Sequence, residues 1–294
     1  MDENTNTHAL ALFSNQLADL AASAAESIVG VGGASGVIVD AELVITPAHR
    51  LRRHRGPLSV RLPDGSTRAA ERVGTDRGLD LALLRVADLP DAAPAWVDAP
   101  PRAGQLVLTV GRDSGQVRTS LGMIGAVLGP WRTRGGARVP RWIEADATLP
   151  AASAGGLLVG ADGAVLGWNT PGLTRQGAVL PPETIKDAVA RLRGGGGGKP
   201  GYLGVSVQLV RLDEQTAGLL VSAVEDGSPA ATAGLAVGDI LLAADGVPLD
   251  DAGSLLGALR DRAGEDVSVT YSRGGEAAEV VVQPAERAAR RRCG

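Results

Sequence analysis

The sequence predicts a mainly β protein in two parts: a larger all-β domain of the barrel or sandwich-pair type with a closing helix, then a small α+β domain. Three observations carry this expectation. Gly and Pro number 41 and 17 in 294 residues, a supply of turn formers that suits many short strands. Apolar runs of strand length recur roughly every ten residues between Gly or Asp-Gly signals. Five consecutive glycines, Gly194 to Gly198, precede Lys199 and Pro200; such a run has nothing to pack and behaves as a tether. The implied organisation is an N-terminal tail at 1–14, a first domain at 15–193, a linker at 194–200, a second domain at 201–285 and a basic tail at 286–294.

In chain order, Leu17 to Ile28 (LADLAASAAESI) carries apolar residues at near-helical spacing and predicts a helix. Strands are expected at GVIVDAELVIT, LSVRLPDG, DLALLRV, QLVLTVG, LGMIGAVLG and GLLVGADGAVLGWN, where β-branched residues and turn punctuation alternate. Pro182 to Arg193 predicts a second helix, with Ile185, Ala188 and Leu192 on one face. Beyond the linker the reading is a strand at GYLGVSVQLV, a strand at GLLVSAV and a short helix at SPAATAGL. DILLAADGVPL, a helix at DAGSLLGALRDR and strands at DVSVTYSRGG and AEVVVQP complete the small domain.

Composition removes several function classes. Hydrophobic residues make up 44% and charged residues 21%, so a core is easily supplied. Acidic residues exceed basic ones, 33 to 29, which argues against reading nucleic acid through bulk charge. The single cysteine, Cys293, excludes a disulfide framework and a cysteine-based zinc site. His8, His49 and His54 have no acidic pair at ligand spacing, so no metal and no cofactor are expected. Gly30, Gly32, Gly33 and Gly36 fail the dinucleotide spacing, because Ser35 takes its last place. No apolar run reaches the roughly 18 residues of a membrane span. The acidic, polar start MDENTNTHALAL is no secretory signal, and the chain as written reads as cytoplasmic. An upstream signal already removed would make it extracytoplasmic.

Serine hydrolases need a hydroxyl that attacks, an imidazole that takes its proton and a carboxylate that fixes the imidazole tautomer. His49 ends the apolar run LVITPAH, Asp80 opens DLALLRV, and the turn ASAGG (Ala152 to Gly156) precedes another strand. His, Asp and a Gly-rich turn in that order is the chymotrypsin-type order. Taken alone, His49 reads as a packing or surface residue and Asp80 as a strand-start cap.

The chain as a whole resembles the HtrA (high-temperature-requirement) family, trypsin-fold proteases of two β-barrels with a C-terminal PDZ domain. The stretches ASGVIVD, TPAHRL, DLALLRV, ADATLPAASAGGLLVGADGAVLGWN and GAVLPPETI carry the likeness in order, across residues 15 to 285. The resemblance implies His49 as base and Asp80 as its orienter, and it puts the nucleophile position at Ala154 and an oxyanion-hole position at Ala152. Alanine has no oxygen to attack a carbonyl, and loss of a triad serine costs on the order of a millionfold in kcat. Ser153 stands before the nucleophile position and Leu157 replaces the family proline, so four positions of the motif depart together. The expectation is a proteolytically inactive homologue, a pseudoprotease. The alternative is an active serine endopeptidase of protein quality control that uses His49 and Asp80 with a displaced serine, or one in which Ala154 is an introduced change. Ser153 and Ser114, the latter in Asp113-Ser114-Gly115, are the candidate substitutes. Arg50, Arg52, Arg53, His54 and Arg55 follow the base directly; they read as a solvated basic loop, or as one that masks the cleft or docks an acidic partner.

In the second domain GYLGV and GSPAATAGLAVGDILLAADGVPL resemble the PDZ pattern of the same family, with Asp245 in the turn. PDZ domains add a peptide C-terminus as a strand at a sheet edge and hold its carboxylate on backbone N–H groups. Tyr202, Leu203, Gly204 and Val205 are the candidate binding strand, with Leu256 and Leu259 of the later helix facing the pocket. Apolar C-termini of peptides or unfolded proteins are the expected partners, in an adaptor, chaperone-like or regulatory role; no nucleic acid and no membrane span are expected. The resemblance also implies homotrimers built through N-terminal aromatic contacts; Phe13 is the chain's only phenylalanine.

Overall fold

A computed structural model describes residues 3–52, 56–147, 154–174, 177–195, 201–213 and 216–286, side chains of 3–7 excepted. The chain divides into two compact units, residues 1–131 with 139–195 and residues 132–138 with 196–294.

The first unit opens with α1 (Glu3–Glu26), longer at its start than the spacing predicts and shorter at its end. Leu17, Leu20, Ala21, Ala24 and Ala25 turn inward, whereas residues 8–16 are exposed on every side. Ile28, expected in the helix, instead begins β1 (Ile28–Val31), where β-branched residues pair with β2 (Ala34–Asp40). β3 (Leu43–Pro47), the single-turn α2 (Ala48–Leu51), β4 (Ser59–Arg61), β5 (Thr67–Asp76) and β6 (Leu81–Val86) follow. These strands close a barrel in the order β1-β2-β3-β6-β5-β4 around Val29, Ile38, Val44, Val60 and Leu84. β5 was not legible as a strand: its sequence, TRAAERVGTD, carries charge on its outward positions and little apolar mass.

A second barrel is built from β7 (Leu106–Asp113), β8 (Gln116–Leu128), β11 (Trp142–Ala145), β12 (Leu157–Gly160), β13 (Val165–Thr170) and β14 (Ala178–Leu180). Between them β9 (Trp131–Arg132) pairs with β10 (Arg138–Val139). The strand order is β11-β14-β13-β12-β7-β8, around Val107, Ile124, Ile143, Leu158 and Val179. α3 (Pro182–Arg193) closes the unit with Ile185, Ala188 and Leu192 buried, the face that its spacing predicts. The architecture is therefore mainly β, a trypsin-like double barrel.

The second unit contains β15 (Gly201–Tyr202), β16 (Val205–Arg211), β17 (Ala217–Val224), α4 (Pro229–Thr232), β18 (Ile240–Ala244) and β19 (Val247–Pro248). It ends with α5 (Ala252–Ala258), β20 (Val267–Arg273), β21 (Glu276–Val282) and β22 (Ala285–Glu286). The sheet runs β16-β17-β18-β20-β21, so β16 lies at its edge. α5 stops earlier than its sequence predicts, because Asp261 takes a left-handed φ of 59° that a helix cannot continue.

Candidate functional site

His49 stands on the single turn α2 that follows β3, and Asp80 immediately precedes β6. Because β3 and β6 pair in register Pro47 to Leu81, the two residues emerge side by side at one end of the first barrel. Three bonds lock them. The Asp80 carbonyl accepts from the Ala48 N–H at 2.8 Å. Asp80 Oδ1 accepts from the His49 N–H at 2.9 Å. Asp80 Oδ2 lies 2.7 Å from His49 Nδ1. Asp80 reaches this pose through a φ of 53°, in the left-handed region that aspartate tolerates better than most residues.

The carboxylate is only 9% exposed and the imidazole 35%. An acceptor at Nδ1 fixes the proton there and leaves Nε2 as the basic nitrogen. Thr170, at the end of β13, donates its hydroxyl to Asp80 Oδ2 at 2.6 Å, so one oxygen of the carboxylate takes bonds from both barrels. Sequence reasoning missed Thr170; its residue type alone carries no signal, and only the crossing of β13 behind the Asp reveals it. Gly172 seals the arrangement: a Cβ there would sit 2.0 Å from Asp80 Oδ2 and 2.9 Å from His49 Nδ1.

The turn that carries Ala154, the position expected for a nucleophile, is equally well held. Ala154 is 3% exposed, and its carbonyl accepts from the Ser35 N–H at 2.8 Å. Gly155 has a φ of 89°, and a Cβ on it would meet Ser35 O at 2.4 Å and Pro47 Cδ at 2.5 Å. Its N–H donates to Asn169 O at 2.9 Å, and its carbonyl accepts from the Trp168 indole at 2.8 Å. Glycine is therefore required at 155, and the backbone is braced on both sides. What the turn presents at 154 is a methyl group.

Of the rival serines, Ser114 is engaged elsewhere. Ser114 forms the tip of the β7–β8 hairpin and donates to Asp113 Oδ1 at 3.0 Å. Ser35 is fully buried, and its hydroxyl donates to Arg112 O and accepts from Arg112 N at 2.8 Å. Arg112 itself is buried, with its guanidinium donating to the carbonyls of Ala25, Ile28 and Gly115. Burial without a carboxylate partner pulls its pKa below the usual arginine value. Ala152, Ser153 and the basic-loop residues Arg53, His54 and Arg55 lie outside the described residues. Arg50, from the same loop, donates to Gly33 O at 2.8 Å.

In the second unit the loop between β15 and β16 is shaped by Gly204, at a φ of 80°. A Cβ there would fall 2.2 Å from Ser228 Cβ, and Ser228 is the N-cap of α4. The Gly204 carbonyl accepts from Glu225 N at 2.8 Å and the Leu203 carbonyl from Ala230 N at 2.9 Å. Tyr202 donates its hydroxyl to Glu225. Leu203 and Leu259 are buried in the core of the unit, Val205 packs half-buried against that core, and Leu256 is 44% exposed on α5. The unpaired side of β16 and the neighbouring α5 leave an edge to which a strand can be added.

Comparison with known proteins agrees with both halves. Residues 34–167 match the family model of the trypsin-like peptidase domain, and residues 201–283 that of the PDZ domain. A Pseudomonas fluorescens protein named "Probable periplasmic serine endoprotease DegP-like" is 31% identical over 253 residues, 80% of this chain and 52% of that protein. A candidate serine protease of Synechocystis named HhoA is 29% identical over 284 residues, 87% of this chain and 71% of that one. The chain thus spans about half the length of the DegP-like relatives it matches. Among solved structures, an HtrA-type protease AlgW with a tripeptide superposes with a TM-score of 0.72 at 25% identity, over 92% of this chain and 97% of that one. AlgW with a decapeptide gives 0.68 at 26% identity, over 87% and 83%. Among the described residues no helix is long and apolar enough to cross a membrane.

Proposed function

The chain is a homologue of the DegP-like and HtrA-type proteases, a trypsin-like peptidase domain joined to a PDZ domain, and on that premise we propose that it binds peptide C-termini without cutting them. The observation that carries the proposal is Ala154, a methyl group beside Gly155, whose backbone is braced on both sides. Acyl transfer needs an oxygen or sulfur at that position to form the covalent intermediate. Ser114, whose hydroxyl is committed to Asp113, does not supply it, and Ser153 lies outside the described residues. Binding then falls to the edge of β16 and the Leu203-Gly204-Val205 loop, with an apolar C-terminus as ligand, in an adaptor, chaperone-like or regulatory role.

A fluorophosphonate probe tests the reading without knowledge of a substrate. The chain is expected to stay unlabelled, and any phosphonylated serine overturns the proposal. The geometry of His49, Asp80 and Thr170 also favours a second statement, that the dyad is poised for a nucleophile that is no longer present. Ala154→Ser is expected to raise labelling by roughly a thousandfold or more, a fraction of the loss that removal of such a serine causes. An unlabelled Ala154→Ser chain would mean that the dyad is no longer aligned for catalysis. The DegP-like relatives are named as periplasmic, and an extracytoplasmic setting is our expectation for this chain.

A further inference from the structure

A second concave site lies in the first unit, among residues that the peptidase machinery does not use. It is a cavity of about 440 Å³ whose floor includes Leu62, Leu89 and Pro90. A second cavity of about 290 Å³ shares Glu26, Asp91 and Ala92 with it, so the two make one continuous groove. The rim carries Glu26, Asp64, Asp88 and Asp91 against a single cation, Arg68.

The four carboxylates come from three separately anchored elements. Glu26 ends α1, Asp64 sits in the β4–β5 turn with its Oδ1 accepting from Ser66 N at 2.8 Å, and Asp88 and Asp91 lie on the segment after β6. All four are exposed, and among the described residues none has an ion pair within 4 Å; the Ser66 hydrogen bonds, and more weakly the charge of Arg68, hold the Asp64 carboxyl below the usual aspartate range. Convergent like charges repel one another, so an apolar groove with this rim selects a cationic occupant.

We propose that the groove docks the arginine-rich segment 287–294 of a second copy of the chain. That segment, RAARRRCG, carries Arg287, Arg290, Arg291 and Arg292, four guanidinium groups for four carboxylates, with Ala288 and Ala289 for the apolar floor. Arginine suits the role because its planar fork meets carboxylates bidentately. A second copy satisfies the match without a tether of fixed length. The contact joins two different surfaces, so it is heterologous and propagates into rings or chains of copies. Resting on exposed charge, it weakens as salt rises.

Sedimentation velocity of the full chain over a range of concentrations tests this. The weight-average mass is expected to rise with concentration at low salt and to fall toward a concentration-independent limit as salt is added. Asp88→Lys with Asp91→Lys, and separately Arg290→Glu with Arg291→Glu, are each expected to weaken the association at least tenfold. Asp88 and Asp91 are exposed, and circular dichroism checks that folding is unchanged in all variants. An equimolar mixture of the two double variants is expected to recover association, because each retains or regains one complementary half. A chain that is monomeric throughout, association indifferent to either double substitution, or a mixture no better than its components overturns the proposal.

Discussion

The two candidate sites of this molecule use glycine in the same way and side chains in opposite ways. At the peptidase turn Gly155, with a φ of 89°, lets the backbone pass against Ser35 and Pro47. At the PDZ loop Gly204, with a φ of 80°, lets it pass against Ser228. Both turns are fixed by hydrogen bonds from neighbouring elements. On the proposed reading the first geometry serves to aim one oxygen, and Ala154 has none. On the same reading the recognition groups of the second are backbone N–H groups and a sheet edge, which no substitution other than proline removes. Binding by backbone outlasts changes of side chain; covalent catalysis ends with one atom.

The largest effect is expected where that contrast is attacked at the backbone. Gly204→Val places a branched side chain at a left-handed φ and within 2.2 Å of Ser228 Cβ. Strain and overlap together cost about 3 kcal/mol or more, and the chain's affinity for peptides with apolar C-termini is expected to fall more than tenfold. Fluorescence anisotropy with such labelled peptides reads the binding, and hydrogen exchange over 216–282 reads the stability. Retention of full binding by Gly204→Val would break the comparison, because the loop would not then be the site.

A smaller effect, confined to one unit, is expected at Arg273. Asp239 is 1% exposed and accepts from Arg273 Nε at 2.6 Å and from Arg273 Nη2 at 2.7 Å. The guanidinium, and secondarily the Ala236 N–H, hold its carboxyl below the ordinary aspartate range. A depressed carboxyl contributes stability above its unfolded pKa of about 3.9 and loses it as pH falls through the folded value. Arg273→Met leaves that buried carboxylate without its cation and is expected to cost about 2 kcal/mol. Acid unfolding of the second unit then begins at higher pH than in the parent chain, while exchange in the barrels is unchanged. Equal acid resistance in the variant would show that the pair does not stabilise the unit.

Much of this was legible in the sequence, for definable reasons. The α3 face was read from Ile185, Ala188 and Leu192, because a helix with one buried side advertises itself by spacing. The strands within GVIVDAELVIT, LSVRLPDG, DLALLRV, QLVLTVG, LGMIGAVLG and GLLVGADGAVLGWN were likewise visible, whereas the short β1, β11 and β14 were not. β5 was not, because its charged outward positions hide the alternation and its partners supply the hydrophobic mass. The extension of α1 back to Glu3 was also invisible, since residues 8–16 are exposed all round and leave no amphipathic trace. In the site, His49 and Asp80 were found by order along the chain and by resemblance. Thr170 was not, because a buried threonine donating to a carboxylate looks like any other strand residue until the fold brings it there.

The smallest expected effect concerns His49, and it separates a working residue from a structural one. If the dyad no longer serves chemistry, it acts as a clasp between α2 and the start of β6. His49→Ala removes the imidazole but leaves Asp80 accepting from His49 N, a backbone group retained by alanine, and from Thr170 Oγ1. Asp80 therefore stays bonded on both oxygens, and the cost is expected to be no more than about 1 kcal/mol, the net worth of one hydrogen bond. Peptide affinity is expected to stay within twofold, because nothing at the β16 edge involves His49. Thermal unfolding and anisotropy measure the two. In the Ala154→Ser background the same substitution has a different consequence, abolishing whatever probe labelling the serine restores, since Nε2 is then the group that takes its proton. A large effect of His49→Ala in the parent chain and none in the serine background would reverse the assignment of His49 from retired base to structural residue.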